Sequence, residues 1–502
     1  MGHREVELKL VLPPGGGDRV ARMRRRLGAP AGRLASQRQT TTYFDTSDRM
    51  LAAAGITVRV RHVGPRWIQT VKTSGSRVGG LFRRPEWETV IDGDRPTSAA
   101  LAVCGLDELR APDLAERLEP VFSTLIRRRT CIIGGAGWEA ELSIDEGEVA
   151  AGGLSRPVCE VELELHRGRA GHLFATALRI AEMVDVRLTA DSKSDRGHAL
   201  SSGAVVRPAK ARPVVLRSRD TAALAFREIA RSCLHQLLAN QPALLDSGDP
   251  EAVHQMRVAL RRFRSALKMF SPVLPPEGLG ELGAEVRWLQ SRLGPARDGD
   301  VFVSEILAPV AREHPGEEAL LSIQSYWRDR RDLDSSAARQ AVSDPRFTRL
   351  LLRLGGWLED LNWPKAAAGA VLPFARHVLQ KRFRRLRRAG GRSLLALSAD
   401  ERHKLRIQGK QLRYAGDFAA SLFDPGRTRP FLSALADLQD LLGQLNDIAV
   451  AVPRLCAIHQ SGPSAWAAGL VAGWHEARRP SLLEKTETAW KRLRGMERFW
   501  TE

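Results

Sequence analysis

Glu160, Glu162 and Glu164 alternate with Val161, Leu163 and Leu165. Strict alternation is the period of a β-strand, so the three carboxylates share one face. Like charges in such a row repel unless cations stand opposite them. The pattern recurs along the first two hundred residues, in both signs. Glu5-Val6-Glu7-Leu8-Lys9-Leu10 places Glu5, Glu7 and Lys9 on one face. Ile56 to Arg61 pairs Arg59 with Arg61, and Trp67 to Lys72 ends on Lys72. Glu86-Trp87-Glu88 carries two acids, and Leu125 to Thr130 is read as a strand with Arg127 and Arg129 together. Glu139 to Asp145 aligns Glu139, Glu141, Ser143 and Asp145, followed by a predicted turn at Glu146-Gly147-Glu148. An ordinary half-buried sheet would solvate these charges. A closed antiparallel barrel with a charged lumen and helices outside would set them against one another. Arginines in that lumen could grip phosphates bidentately, and spare carboxylates suit Mg2+ or Mn2+.

The ordered series Glu5-x-Glu7-x-Lys9, Tyr43-Phe44-Asp45-Thr46, Arg59-x-Arg61, Lys72, Glu86-x-Glu88, Arg127-x-Arg129, Glu160-x-Glu162-x-Glu164 and Ser192-Lys193 resembles the CYTH, or triphosphate tunnel metalloenzyme, superfamily. The resemblance covers residues 1–202. It implies an eight-stranded antiparallel tunnel that takes a linear triphosphate and a divalent metal. By the same resemblance, Glu5, Glu7, Asp145, Glu162 and Glu164 are metal-side carboxylates. Lys9, Arg59, Arg61, Lys72, Arg127, Arg129 and Lys193 are the corresponding phosphate ligands. Arg83 and Arg84 follow a glycine-rich stretch unlike a strand.

Residues 203–216 contain two prolines and small residues and read as a linker. Beyond them the alternation gives way to helical periodicity, interrupted at Pro242, Pro364, Gly390-Gly391, Pro453 and other breakers. Net charge, +19 for the 502 residues, divides as +4 over 1–204 and +15 over 205–502. The excess belongs to the helical part and calls for a polyanionic partner.

That part repeats itself. His254-x-x-Arg257-x-x-x-Arg261-x-x-Arg264 matches His403-x-x-Arg406-x-x-x-Lys410-x-x-Arg413, and Leu289-Gln290…Asp298 matches Leu438-Gln439…Asp447. Both pairs are 149 positions apart. Two motifs with one offset predict two related helical bundles, each with a histidine-headed basic stripe on one helix face. A further basic helix runs from His377 to Arg388. Gly409 and Gln411 replace Leu260 and Arg262, so the second stripe is expected to be slightly less basic. Residues 217–500 resemble the CHAD domain, a histidine-containing α-helical family associated with inorganic polyphosphate. This implies polyphosphate binding by His254, Arg257, Arg261, Arg264, His403, Arg406, Lys410 and Arg413.

The expectation is therefore an α+β multidomain protein: a tunnel domain (1–202), a linker (203–216) and an all-α domain (217–500). Its expected activity is metal-dependent hydrolysis of inorganic triphosphate, with polyphosphate bound by the helical domain. Adenylate cyclase, thiamine or nucleoside triphosphatase activity in the same tunnel, and a non-enzymatic polyphosphate scaffold, stay open. With aromatics at 6% and no base-reading motif, the sequence argues against nucleic acid. Five scattered cysteines without CxxC spacing, no long apolar run and no N-terminal signal pattern set a cytoplasmic expectation, with association to polyphosphate granules.

Overall fold

The computed structural model describes residues 3–30, 34–458 and 461–501. The chain divides into two compact units, one of residues 1–207 with 343–361, the other of 208–342 with 362–502.

The first unit is built on strands β1 (His3–Val11), β2 (Ala35–Asp45), β3 (Ile56–Val63), β4 (Arg66–Thr73), β5 (Ser76–Val78), β6 (Leu81–Ile91), β7 (Glu119–Gly135), β8 (Trp138–Ala151), β9 (Leu154–Arg167) and β10 (Arg187–Leu188). Eight of them close into an antiparallel barrel in the order β1-β9-β8-β7-β2-β3-β4-β6, with β6 returning to β1. The short β10 and β5 attach to β1 and β6. The closed eight-stranded barrel agrees with the sequence expectation. The predicted turn at 146–148 does not: β8 runs through it to Ala151, and the chain reverses at Gly152 and Gly153, both at positive φ. β6 likewise begins at Leu81, so Arg83 and Arg84 belong to a strand.

Apolar residues of β3 and β4, Val58, Val60 and Val71, point away from the lumen into a core with Phe44, Leu51, Leu101 and Leu118. The longer helices of this part of the chain are α1 (Gly16–Met23), α2 (Gly171–Ala181) and α3 (Lys193–Ser202). A capping box fixes the start of α3, Ser192 accepting from the Asp195 N–H and Asp195 from the Ser192 N–H.

The second unit contains α4 (Ala222–Ala239), α5 (Pro250–Phe270), α6 (Leu279–Val301) and α7 (Glu318–Ser343). The chain then contributes α8 (Pro345–Asp360) to the first unit. It resumes the second with α9 (Val371–Gly390), α10 (Ala399–Ala419), α11 (Pro425–Ile458) and α12 (Gly462–Gly495). The 149-residue offset carries α4 onto α9, α5 onto α10, α6 onto α11 and α7 onto α12, so the repeat extends over whole bundles. The two copies meet at matching points: the Ala222 N–H donates to Gly369 O and the Val371 N–H to Asp220 O, each at 2.9 Å. Pro453 lies inside α11, where a break was expected. Residues 204–216 form neither helix nor strand, and from Ala209 they are fastened to the second unit. Ala209 exchanges two hydrogen bonds with the Asn240 side chain, and the Leu216 N–H donates to Ser421 Oγ. No helix among the described residues is long and apolar enough to cross a membrane.

Helix α8 packs on α2 and β10 with Phe347, Leu350, Leu351, Leu354 and Leu358 buried. Gly355 makes this close: a Cβ there would stand 2.2 Å from Cε1 of Phe174, itself on α2. Arg83 Nη2 also meets Glu359 Oε2 at 2.8 Å. Fragment 1–207 retains every tunnel-lining residue but uncovers Phe174. It should be less stable than a mixture with peptide 343–361 by about 3 kcal/mol, the scale of burying one large apolar side chain. Denaturant midpoints with and without the peptide measure this, and equal midpoints would refute it.

Candidate active site and anion cavity

Because side chains on neighbouring barrel strands lie in rows, the lumen is a lattice of charges. Glu7 on β1 is in register with Glu164 on β9, which is in register with Glu141 on β8. One step along, Lys9 faces Glu162, which faces Ser143. The lumen is a cavity of about 500 Å³ whose walls carry seven cations (Lys9, Arg59, Arg61, Lys72, Arg84, Arg128, Lys193) and eight carboxylates (Glu5, Glu7, Glu86, Glu88, Glu141, Asp145, Glu162, Glu164).

These charges neutralise one another through short contacts. Glu5 accepts from Lys72 Nζ and Arg84 Nε, both at 2.8 Å. Arg84 Nη2 reaches Glu7 at 2.6 Å, and Lys9 Nζ reaches Glu7 at 2.9 Å and also binds Glu162. Arg128 grips Asp145 with Nε and Nη2 at 2.7 and 2.6 Å, and touches Glu162 as well. Lys193 contacts Asp145 at 2.6 Å, Glu162 at 3.0 Å, and Glu160. Burial alone would raise the Glu5 carboxyl, but Lys72 and Arg84 overcome it and hold it at about 2. Burial opposes the charge on Lys193 too, and Asp145, Glu160 and Glu162 more than offset it, raising the amine above its ordinary range. Arg61 is pushed down to about 10 by burial and by Arg59 and Arg128 beside it.

Glu164, like Glu141, forms no ion pair among the described residues, and burial together with the Glu5 charge pushes it up to about 7.

The predicted lumen residues Glu5, Glu7, Lys9, Arg59, Arg61, Lys72, Asp145, Glu162, Glu164 and Lys193 all line this cavity. Arg127 and Arg129 do not. Thr124, Ile126 and Arg128 face inward, which leaves Arg127 exposed and turns Arg129 outward to Asp18 on α1 (2.7 Å) and Glu146 (2.9 Å). The strand's parity is thus opposite to the expectation. Three consecutive arginines offer no polar–apolar contrast from which to read it. Partner registers settle it, with Arg128 opposite Asp145 and Gln37. Arg84 enters the lumen while Arg83 stays out, which the alternation of a strand starting at Leu81 would have indicated.

A second cavity, about 1090 Å³, lies within the helical unit. Both stripes reach it, α5 through His254, Arg257 and Arg261 and α10 through Arg406, Lys410 and Arg413, with Arg297 and Arg454 adding charge. Arg264 and His403 are not in its lining: Arg264 donates to Gln290 (2.9 Å), and exposed His403 pairs with Asn446 (2.5 Å). Asp298 and Asp447, matching positions of the repeat, also line the cavity, and Asp298 lies 3.4 Å from Arg257. Arg262 is buried, donates to Gln236, lies over the Phe418 ring and also lines the cavity, whereas its counterpart Gln411 is not in the lining. Burial and then the Arg297 charge push His254 down to about 4. Burial, Arg406 and Arg261 push the Lys410 amine down to about 7.

A closed eight-stranded tunnel lined by paired opposite charges thus stands in one chain with a duplicated, arginine-faced helical bundle. The CYTH domain family matches residues 3–196 and the CHAD domain family residues 228–456. The chain belongs to these families, a CYTH domain followed by a CHAD domain. It is 31% identical over 163 residues to the inorganic triphosphatase of Haemophilus influenzae, a match covering 32% of this chain and 45% of that protein. The chain therefore spans less than half the length of this curated relative. The crystal structure of the CHAD domain from the plant Ricinus communis aligns with a TM-score of 0.50 at 32% identity, over 58% of this chain and 99% of that one.

Proposed function

We propose that the tunnel hydrolyses inorganic triphosphate with Mg2+ or Mn2+ and that the helical cavity binds polyphosphate. The observation that carries the first part is the convergence of seven cations, from the barrel strands and α3, on one closed lumen. Carboxylate partners hold those cations in place before substrate arrives, and phosphate oxygens then take over the same donors. Positioning and electrostatic stabilisation account for most of phosphoryl transfer, so this preorganisation is the chain's main contribution. Glu7, Glu164 and Glu141 stand in register across β1, β9 and β8, with Glu5 on the same face of β1, and a row of carboxylates offers oxygen ligands of the kind a hard divalent ion takes. Asp145 and Glu162, with Glu160, form a second acidic group, whose oxygens lie within 4.8 Å of one another and already surround Lys193. When bound, the metal neutralises phosphate charge and lowers the pKa of water. The similarity to an inorganic triphosphatase supports this reading.

The test is phosphate release from triphosphate, long polyphosphate, thiamine triphosphate and ATP, each with and without Mg2+ or Mn2+, and with cyclic product scored for ATP. Triphosphate with metal should be hydrolysed fastest. Glu5→Gln and Glu7→Gln should each lower that rate about a hundredfold or more, by losing a metal ligand and loosening Arg84. Metal-independent release, or full activity of both variants at limiting Mg2+, would refute the assignment.

For the cavity, the protonation of Lys410 sets the pH dependence. Arg406, Arg261 and Arg257 disfavour its charge and Asp447 favours it. An anion binds the protonated amine, so polyphosphate affinity should fall as pH rises through 7, by about tenfold between pH 6 and 8. His254, neutral throughout that window, contributes no change. Lys410→Arg should flatten the profile. An unchanged slope in that variant, measured by calorimetry on the full chain, would assign the titration elsewhere.

A further inference from the structure

Helix α9 carries a basic face that neither cavity uses. Its twenty residues contain no aspartate or glutamate. Arg376, Lys381, Arg384, Arg385, Arg387 and Arg388 are all exposed, whereas Ala375, Leu379, Arg382, Phe383 and Leu386 are buried. At 100° per residue the six exposed cations spread over half the helix circumference, and at 1.5 Å per residue they run for about 18 Å. Among the described residues, none of the six has an ion-pair partner.

α4 occupies the matching place in the first bundle, but there the face is covered: Ser232, His235 and Ala239 are half-buried and Gln236 and Leu238 buried, whereas Lys381, Arg384, Arg385, Arg387 and Arg388 of α9 are exposed. One or two basic residues in the last turn would complement the helix dipole, but the band extends three turns further back.

We infer that the exposed face of α9 is a docking surface for duplex DNA, contacted through its phosphates without regard to sequence. The face is convex and solvent-exposed. A single file of phosphates can follow only part of a band spread over half a circumference. A duplex presents two phosphate rows flanking a major groove about 12 Å wide, which matches an α-helix about 10–12 Å across. No large exposed apolar residue lies on α9, so nothing there would enter a lipid bilayer. The sequence argued against nucleic acid for want of a base-stacking platform. Contacts confined to the backbone need none, and arginine suits phosphate oxygens because it bonds them bidentately.

The experiment uses the full chain and a fluorescent duplex of about 20 base pairs, titrated by anisotropy across salt concentrations. Affinity should fall steeply with salt. Arg384→Gln, Arg387→Gln and Arg388→Gln combined should weaken duplex binding at least about tenfold and lower the log–log salt slope by about 2 to 3. The matching triple lysine variant should keep most of the affinity, since the charge remains. Arg257→Ala with Arg406→Ala, which alters the cavity, should leave duplex binding unchanged. Unchanged duplex affinity in the glutamine variant would overturn the proposal. An equal loss of long-polyphosphate or anionic-vesicle binding in it would do the same, by making the face a general polyanion surface. Loss of duplex binding in the cavity variant would move the contact there. Failure of polyphosphate binding alone would leave this inference standing.

Discussion

Arg128→Gln should lower triphosphate hydrolysis at least about a hundredfold, while Arg127→Gln should stay within about twofold of the unsubstituted protein. Arg128 points into the lumen, bonded to Asp145 at two points and to Glu162. Its guanidinium can release those carboxylates and take phosphate oxygens in the same fork geometry. Glutamine is shorter, uncharged and cannot make the bidentate contact. Arg127, one residue earlier, is exposed on the other side of the strand. Arg129→Gln is the informative third variant. Arg129 ties β7 to Asp18 and Glu146 outside the barrel, so its loss should lower thermal stability more than turnover in the surviving folded protein. The three variants, assayed for kcat and melting temperature, separate a lumen role from a scaffold role. If Arg127→Gln proves the inactive one, the strand's parity is wrong as described.

Lys193→Met should destabilise the protein by about 3–5 kcal/mol and abolish activity in whatever remains folded. Lys193 is the cation shared by Asp145, Glu160 and Glu162, of which the first two are fully buried. Methionine has a similar length and would fill the space. It would leave Lys9, Arg128 and Arg196 as the remaining partners of three carboxylates. An unneutralised buried carboxylate is costly, because its attraction to the lost cation no longer offsets desolvation. The oxygens of the three lie within 4.8 Å of one another, so a divalent ion could replace the ammonium. Millimolar Mg2+ should therefore recover part of the stability of Lys193→Met, measured by urea denaturation, without restoring turnover. Stability equal to the unsubstituted protein in the absence of metal would show that the cluster is not held by Lys193.

Most of the lumen was legible because alternation converts sequence position into facing. Glu5, Glu7, Lys9, Glu162 and Glu164 stand among aliphatic neighbours, and each apolar residue votes on which side is inside. Before Arg127-Arg128-Arg129 stand Leu125 and Ile126, two apolar residues in succession, so nothing alternates there and partner strands far away in sequence decide the facing. The helical repeat was legible from one offset, because motif spacing survives when individual residues change. Which stripe residues reach the cavity was not. Arg264 and His403 keep the periodicity but reach Gln290 and Asn446 instead. Protonation was hidden as well. A histidine and a lysine ordinarily titrate near 6.5 and 10.5, and burial among arginines lowers both His254 and Lys410. α8 reads as an amphipathic helix, but its apolar stripe says only that something covers it. That the cover is α2, some 170 positions earlier, is a matter of packing.

The place of α8 also bears on how such a protein can be inherited. A recombination point in the 203–216 stretch would look neutral in sequence, since it lies between a strand-rich and a helix-rich region. Yet the piece upstream would leave behind the segment that covers Phe174, and the piece downstream would carry an apolar helix with nothing to cover. Neither would be a free-standing cassette. Exchange of either half between genes should then favour junctions that transmit both parts together, or lineages in which α2 and α8 change in concert: a shorter side chain at 174 would relax the need for glycine at 355.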